Sequence, residues 1–165
     1  MKKSPPIRLH RDLREFVELL NAHRVEYLVA GAFCLALHGR PRFTGDLDLF
    51  ISSTIKNADR IMAALRAFGF GKLGLRPADF IKPGQVIQLG IAPYRIDLLT
   101  SLDGVNFKSE WKRRKLTLLD GVPCFFLGRT GLIRNKLATG RPQDLVDVES
   151  LLGHSRRKGN RQRAV

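Results

Sequence analysis

The pattern of apolar and polar positions predicts short strands alternating with helices. A first helical stripe near the N-terminus contains five apolar residues: Leu9, Leu13, Phe16, Val17 and Leu20. Residues 27–30 (YLVA) predict a short buried strand, and at Gly31 the chain turns into a short predicted helix. Residues 46–51 alternate and predict a second strand, whereas residues 58–68 predict a longer helix that ends at GFG.

The second half of the chain carries the sequence signals of two β-hairpins. In VIQLGIAPYRIDLLT, two strand-like runs are joined at residues 92–93. In LTLLDGVPCFFL, Asp120 and Gly121 stand between two apolar runs, a combination that is typical of a tight hairpin turn. Between the hairpins, residues 104–115 predict a loop and a short basic helix that ends in WKRRK.

Two helices and a polar tail complete the predicted fold. Thr130 is predicted to cap a helix that continues through residue 138. Pro142 predicts the first turn of a last helix, which places three apolar residues on one face: Leu145, Val148 and Leu152. The basic tail, residues 154–165, predicts disorder. The whole pattern predicts an α+β fold, with a small mixed β-sheet and helices packed mainly on one side.

Composition adds a strong positive charge to this picture. The chain has 165 residues, which is enough for one domain with its own core. Its 29 lysines and arginines against 15 acidic residues give a net charge of +14. This charge favours a polyanionic partner, either a nucleic acid or the phosphates of a nucleotide, over an anionic membrane surface.

The N-terminus and the cysteines predict a cytoplasmic protein. No apolar stretch follows the N-terminal lysines, so no signal peptide is expected, and no apolar run is long enough to span a bilayer. Cys34 and Cys124 are far apart in the sequence, and no Cys/His ligand spacing occurs. Structural zinc and a disulfide framework are therefore not expected.

Two aspartates separated by one leucine are the first candidate for chemistry. Side chains alternate along a strand, so Asp46 and Asp48 share one face while Leu47 and Leu49 take the other. Carboxylates placed in this way suit a hard cation such as Mg²⁺, which prefers oxygen ligands. Taken alone, however, such a pair more often consists of two carboxylates that face water.

A third carboxylate strengthens the case for a cation. Asp97 lies inside the apolar run of YRIDLLT, where an unpaired charge is costly. If this strand neighbours the DLDLF strand, three carboxylates meet on one face of the sheet. The alternative is an ion pair between Asp97 and an arginine of another element. Arg95 is not expected to provide that partner, on the reasoning that neighbouring residues of a strand face opposite sides.

Gly31 supplies a fourth element. A strand that ends in glycine and turns directly into a helix offers free backbone N–H groups, which suit a phosphate. Ordinary tight-turn geometry is the alternative explanation for a lone glycine at this position.

These features together resemble the nucleotidyltransferase superfamily of the DNA polymerase β type. The residues that carry the resemblance are VAGA, thirteen residues between Ala32 and Asp46, then DLDL, and later RIDLL. The stretches YLVAGAFCLALHGRPRFTGDLDL and LIRNKLATGRPQDLVDVESLL resemble the small bacterial AbiEii-type toxins. The resemblance implies a nucleotidyltransferase-like domain at residues 25–153, with residues 1–24 forming a helix packed on it.

The resemblance also implies roles for individual residues. Asp46, Asp48 and Asp97 would hold Mg²⁺ or Mn²⁺, and Asp97 would accept the proton of the attacking hydroxyl. Five residues would bind the nucleotide or its phosphates: Gly31, Ala32, Arg42, Thr44 and Lys136. Ala32 departs from the family pattern, in which serine is common, so one hydroxyl contact is missing. The alternative for Arg42 is a solvated loop arginine, and the alternative for Lys136 is a lysine at the end of a helix.

Two further predictions concern charged segments of the second half. Asp144 is expected in the first turn of the last helix, where a negative charge is favoured and where it could orient Lys136 or Arg141. The WKRRK run is either solvated charge or an electrostatic contact to RNA. Trp111, at its start, is expected to be a buried anchor in preference to a base-stacking residue.

The resemblance implies transfer of a nucleotide from a nucleoside triphosphate to an acceptor hydroxyl, most favourably on the 3′ end of tRNA. A toxin-like role with an antitoxin or other partner protein belongs to the same expectation. Three alternatives stay open: a protein side chain as acceptor, an aminoglycoside as acceptor, and a non-catalytic RNA-binding module that keeps the fold. The aminoglycoside ranks lowest because a cationic drug does not suit a protein of this charge.

Overall fold

The computed structural model describes residues 8–39, 45–91 and 93–162, with side chains described as far as residue 153. Arg42 and Thr44, two of the predicted phosphate-binding residues, lie outside these ranges.

Helices and strands alternate much as the sequence predicts. The strands are β1 (Tyr27–Val29), β2 (Leu47–Ile51), β3 (Val86–Leu89), β4 (Ile96–Leu99), β5 (Lys115–Leu119) and β6 (Val122–Phe126). The helices are α1 (Arg11–Ala22), α2 (Gly31–Leu37), α3 (Ile55–Phe68), α4 (Phe107–Lys112), α5 (Arg129–Thr139) and α6 (Pro142–Gln162). A short 3₁₀ turn, Pro77–Phe80, follows α3.

Over the described ranges, the strands form one six-stranded sheet in the order β3-β4-β2-β1-β6-β5. The sheet is mixed, because β2 runs parallel to β4 and β1 parallel to β6, whereas the remaining neighbours are antiparallel. The predicted α+β class with a mixed sheet is therefore confirmed. Its consequence for the site is that β2 and β4, the two strands that carry aspartates, are direct neighbours.

The predicted stripe of α1 forms part of the buried core. Leu9, which precedes the helix, and the four apolar residues within it are all buried, and α1 packs against α3 and β6. The start of α3 is held by Asn57, whose amide accepts from the Glu26 N–H at 2.8 Å and donates to the carbonyls of Glu26 and Ser52. This buried amide joins α3 to residues that flank β1 and β2, so it helps to fix the two central strands.

The Asp120-Gly121 hairpin is confirmed between β5 and β6. Both residues have positive φ, 51° and 79°, as a two-residue turn that matches the twist of its strands requires. The β3–β4 hairpin is confirmed as well, with Val86 opposite Leu99 and Leu89 opposite Ile96.

Two predictions about the last helices are wrong. The residue that caps α5 is Gly128, so Thr130 lies inside the first turn and caps nothing. In α6, Leu145 and Leu152 are exposed, and the buried apolar residues are Val148 and Leu151.

The predicted apolar face of α6 is wrong because the first two turns of this helix bury carboxylates. Asp144 and Asp147 are 4% and 6% exposed, so they occupy inward positions that a purely apolar stripe would assign to hydrophobic residues. The helix also continues to Gln162, into the segment for which the sequence predicts a disordered tail.

No helix in the described part of the chain is long and apolar enough to cross a membrane.

Candidate functional site

The three predicted aspartates converge where β2 and β4 begin. In the parallel β2–β4 pair, Asp48 lies directly opposite Asp97, and both side chains therefore point to the same face of the sheet. Asp46 precedes β2 by one residue. Gly45, before it, lies against the Pro93 carbonyl with no room for a Cβ, which holds the start of β2 beside the β3–β4 hairpin.

Arg95 is the cation that joins these carboxylates in the structure. Its Nε donates to Asp97 Oδ1 at 3.0 Å, and its Nη2 donates to Asp97 Oδ2 at 3.3 Å and to Asp46 Oδ2 at 3.1 Å. The prediction that Arg95 would not pair with Asp97 is wrong. The two residues are two positions apart, so alternation places them on the same side of the chain.

Burial and neighbouring charge perturb the Asp48 carboxylate. Its pKa is raised from 3.8 to about 6, first by burial and then by the charges of Asp97 and Asp46. Arg95 and Arg141 oppose this shift without cancelling it. A carboxylate held in this way is short of positive charge, which is the condition under which a bound cation is most stabilising.

Gly31 lies directly against this carboxylate. It opens α2 with φ of 59°, and a Cβ on this residue would collide with the Asp48 side chain and lie 2.9 Å from its Cγ. The close approach and the positive φ both require glycine here. The backbone at the end of β1 is thereby brought beside Asp48, where the sequence predicts a phosphate-binding turn.

Asp48 and Gly31 form one wall of a cleft of about 340 Å³. Residues of α5, α6 and the turn that joins these helices line the same cleft, including Lys136 and Arg141. The lining also contains apolar and uncharged side chains together with a further carboxylate: Leu99, Leu102, Leu132, Ser101, Asn135 and Asp103. A cleft of this size, with apolar residues and a few convergent charges, suits a small polar ligand.

Lys136 is buried and held by two carboxylates of α6. Its Nζ donates to Asp147 Oδ2 at 2.8 Å and to Asp144 Oδ1 at 3.4 Å, and all three side chains are at most 8% exposed. Asp144 occupies the first turn of α6, as predicted. This buried network fixes α5 against α6 and presents the cationic side chain of Lys136 at the cleft wall.

Arg141 is the exposed cation of the same wall. Its Nε donates to Asp144 Oδ2 at 2.7 Å, while 75% of its side chain is exposed. Burial works to raise the pKa of Asp144, but hydrogen bonds from Arg141 and Thr139 and the charge of Lys136 outweigh it and lower that pKa. The prediction that Asp144 orients Lys136 or Arg141 is confirmed for both.

The structure thus gathers most of the predicted site residues. Gly31, Asp48 and Lys136 line one cleft, and Asp46 and Asp97 are joined beside it by Arg95. Ala32 follows Gly31 in the first turn of α2. Their roles in binding stay predictions.

Sequence reasoning missed two residues of this arrangement. Arg95 could have been found from the spacing Arg-x-Asp, because residues two apart share a strand face. Asp147 could have been found from its position three residues after Asp144, on the same side of a helix.

The donor set fits a divalent cation in its chemistry. The site offers carboxylate oxygens, the ligands that Mg²⁺ and Mn²⁺ prefer, and a guanidinium already lies between Asp46 and Asp97. Among the described residues, however, no group of three or more His, Cys, Asp or Glu side chains is arranged closely enough to hold a metal ion.

Substitution of Gly31 by alanine tests the close contact with Asp48. Gly31→Ala should lower the free energy of unfolding by about 1–2 kcal/mol for the left-handed backbone and by a further ~1–3 kcal/mol for the displaced carboxylate. Gly69→Ala is the matched control, since Gly69 has φ of 99° at the end of α3 with nothing within 4 Å of an added Cβ. Urea unfolding of both variants measures the difference. Equal losses would contradict the contact.

The comparisons with known proteins find similarity among solved structures alone. No protein-family model matches the chain, and no curated protein matches it. Among solved structures, the chain is similar to the crystal structure of an antigenic nucleotidyltransferase-like protein from Paracoccidioides brasiliensis. The two are 16% identical with a TM-score of 0.49, over 88% of this chain and 78% of that one. The function of the site is therefore inferred from its geometry.

Proposed function

We propose that the protein is a metal-dependent nucleotidyltransferase that moves a nucleoside monophosphate from a nucleoside triphosphate to an acceptor hydroxyl on RNA. The observation that carries this proposal is the position of Asp48, opposite Asp97 and in a cleft that Lys136 and Arg141 also line. Carboxylate oxygens suit divalent cations, and the two cationic side chains suit the phosphates of a triphosphate. A tRNA acceptor and a toxin-like role in the cytoplasm are the finer part of the proposal.

Each of the three aspartates has a distinct part in such a transfer. Asp46 and Asp48 would hold the Mg²⁺ or Mn²⁺ ions, and Asp97 would hold the ion nearer the acceptor. Bound there, the ions would neutralise phosphate charge and make the acceptor hydroxyl more acidic. Asp97, which is largely buried, would take the proton of that hydroxyl as its oxygen attacks the α-phosphate and pyrophosphate leaves.

Residues of α5, α6 and their joining turn would bind the phosphates. Arg141 is anchored through its Nε, and its largely exposed side chain lines the cleft, so it is the stronger candidate for direct contact. Lys136 already pairs with two carboxylates, and its part is the orientation of Asp144, which in turn holds Arg141. Gly31 and the start of α2 would position the β- and γ-phosphates from the Asp48 side.

The basic surface around α4 favours RNA as the acceptor. Five exposed cations lie within eight residues and define this α4 basic surface: Lys108, Lys112, Arg113, Arg114 and Lys115. Of the five, Arg113 is neutralised by the buried Glu110 at 2.7 Å. Phe107 of α4 packs on Phe50, which shares a sheet face with Asp48, so α4 lies on the same side of the sheet as Asp48.

Trp111 does not provide a free platform for a base. Its ring stacks on Phe107 at 5.6 Å between centroids, and the Arg114 guanidinium covers it at 4.1 Å. Trp111 thus anchors α4 by packing against the core, but it is partly exposed and not buried as predicted. Contact with RNA through this surface would be made to phosphates, and its strength should depend steeply on salt.

Charge reversal tests the RNA part of the proposal. Lys112→Glu with Lys115→Glu should weaken tRNA binding by about tenfold or more at low salt, and should lower the slope of log Kd against log salt by about 1–2. The control is Lys56→Glu with Lys72→Glu, which makes the same change in net charge at one exposed lysine in α3 and one that follows it. Filter binding of tRNA from 50 to 300 mM KCl compares the two double variants. An equal loss in both pairs would show that only net charge matters.

Label transfer tests the reaction itself. Each of the four [α-³²P]NTPs would be incubated with Mg²⁺ or Mn²⁺ and either total tRNA or a cell lysate, with an Asp48→Ala variant in parallel. Label on tRNA that requires Asp48 supports the proposal, whereas label on protein favours a protein-modifying transferase. If neither is labelled, the second candidate gains support: a non-catalytic RNA-binding module, which the Arg95 ion pairs favour because they already neutralise the carboxylates.

A further inference from the structure

We propose that Arg95 is an internal counter-cation that competes with the divalent cation for Asp46 and Asp97 and thereby sets the metal affinity of the site. The inference rests on the proposed function, because it supposes that the three aspartates bind a metal. In this view the three aspartates favour metal binding and Arg95 opposes it.

The hydrogen bonds of Arg95 use the atoms that a metal would need. Both carboxylate oxygens of Asp97 and one oxygen of Asp46 accept from its guanidinium, at 3.0 to 3.3 Å. A divalent cation that bound the same oxygens would meet the positive charge of Arg95 at close range. The guanidinium must therefore move before these two carboxylates can close on a metal.

The structure allows that movement without unfolding the strand. The Arg95 carbonyl accepts from the Leu47 N–H at 2.9 Å, so the backbone at this position is fixed to the start of β2. The Arg95 side chain is 33% exposed and that of Asp46 41% exposed, which places the ion pair at the surface of the site. Rotation of the Arg95 side chain toward solvent would remove its guanidinium from both carboxylates and leave the sheet intact.

Charge balance explains why such a residue is present. Without a cation, Asp46, Asp48 and Asp97 would repel one another on neighbouring strands. Arg95 stabilises the metal-free state by bridging two of them, and this stabilisation is lost when a metal replaces it. The free energy of that exchange lowers the apparent affinity for metal.

A purely orienting role for Arg95 makes the opposite prediction. If the guanidinium held Asp46 and Asp97 in the geometry that a metal requires, its removal would leave the ligands less well ordered. Metal affinity would then fall in a variant that lacks it, whereas competition requires that affinity to rise. The sign of the change separates the two roles.

Calorimetric titration with Mn²⁺ alone tests the competition in the full chain. Arg95→Ala and Arg95→Gln should bind Mn²⁺ about tenfold more tightly than the unaltered protein, and Arg95→Lys, which keeps the charge but loses the fork, should lie between. Arg14→Ala removes one positive charge from an exposed pair with Glu18 and should leave the Mn²⁺ affinity unchanged.

Thermal unfolding of the same variants gives a second readout. Without metal, Arg95→Ala should unfold at a lower temperature than the unaltered protein. Saturating Mn²⁺ should raise the Tm of Arg95→Ala by more than it raises the Tm of the unaltered protein. Arg95→Gln, closer in shape to arginine, carries the test if the alanine variant does not fold.

The outcomes separate failure of this inference from failure of the proposed function. Binding that is unchanged or weaker in Arg95→Gln, while Asp48→Asn still reduces it in the unaltered background, overturns the competition alone. No Mn²⁺ binding to any variant at millimolar metal overturns the metal site, and both proposals fail together.

Discussion

Asp48→Asn is expected to reduce nucleotidyl transfer at least about a thousandfold while making the metal-free protein more stable at pH 8. The loss of activity follows because asparagine keeps the shape of aspartate but cannot supply the anionic oxygens that charge neutralisation at the α-phosphate depends on. The gain in stability follows because Asp48 is destabilising when ionised. Its pKa is about 6 in the folded protein, against 3.8 for the ordinary group.

The sign of the pH dependence follows from that raised pKa. Folding favours the protonated form of Asp48, so its contribution is fully present below pH 3.8 and is lost as the pH rises through about 6. Above that window the ionised group costs no more than about 3 kcal/mol. Asparagine cannot ionise and avoids this cost. The stability advantage of the variant should therefore be largest at pH 8 and should nearly vanish at pH 4.

Urea unfolding in EDTA at pH 4, 6 and 8 measures this advantage, and the label-transfer assay measures activity. Asp59→Asn serves as a control, because Asp59 is an exposed carboxylate on α3 whose removal should change neither quantity appreciably. An Asp48→Asn variant that is less stable than the unaltered protein at every pH would contradict the electrostatic account of the site.

Lys136→Met is expected to lower the free energy of unfolding by about 3 kcal/mol. Methionine fills the space of the lysine stem but leaves Asp144 and Asp147 buried beside each other without the ammonium that neutralises them. Asp144 retains its hydrogen bonds from Arg141 and Thr139, which keeps the loss at the lower end of the range for a broken buried pair.

Two further variants show whether the buried charges cause that loss. Lys112→Met, at an exposed lysine of α4, should change the free energy of unfolding by less than about 0.5 kcal/mol. Adding Asp147→Asn to Lys136→Met should restore part of the stability, because one of the two carboxylates that lost the ammonium is then neutral. If the second substitution lowers stability further, the loss arises from packing and the electrostatic explanation is wrong.

Local patterns predicted those parts of the fold that local chemistry decides. Three features can be predicted from the sequence because each depends on backbone preference or on the period of the apolar positions. They are the Asp120-Gly121 turn, the apolar stripe of α1, and the breaks at Gly31 and Gly69. The proximity of the three aspartates needed one further assumption, that their strands are neighbours. That pairing is non-local and is confirmed only by the sheet register.

The predictions that failed involve charges whose partners lie elsewhere in the fold. An apolar stripe was expected on α6, but its inward positions are used by Asp144 and Asp147 to hold Lys136 of α5. Such a cluster breaks the apolar period of the helix, so a pattern search assigns the wrong face. Arg95 was excluded by a mistaken alternation, although its partner Asp46 could not have been identified without the β2–β4 pairing.

The central claim is that this cleft directs a nucleoside monophosphate to an acceptor hydroxyl, and the position of the transferred label tests it most directly. The protein would be incubated with Mn²⁺, total tRNA and the active nucleotide labelled with ³²P at either the α- or the γ-phosphate. The account predicts that α-label becomes attached to tRNA, that γ-label is released as pyrophosphate, and that Asp48→Asn abolishes both. Transfer of the γ-label to tRNA, or α-label transfer that persists in Asp48→Asn, would contradict it.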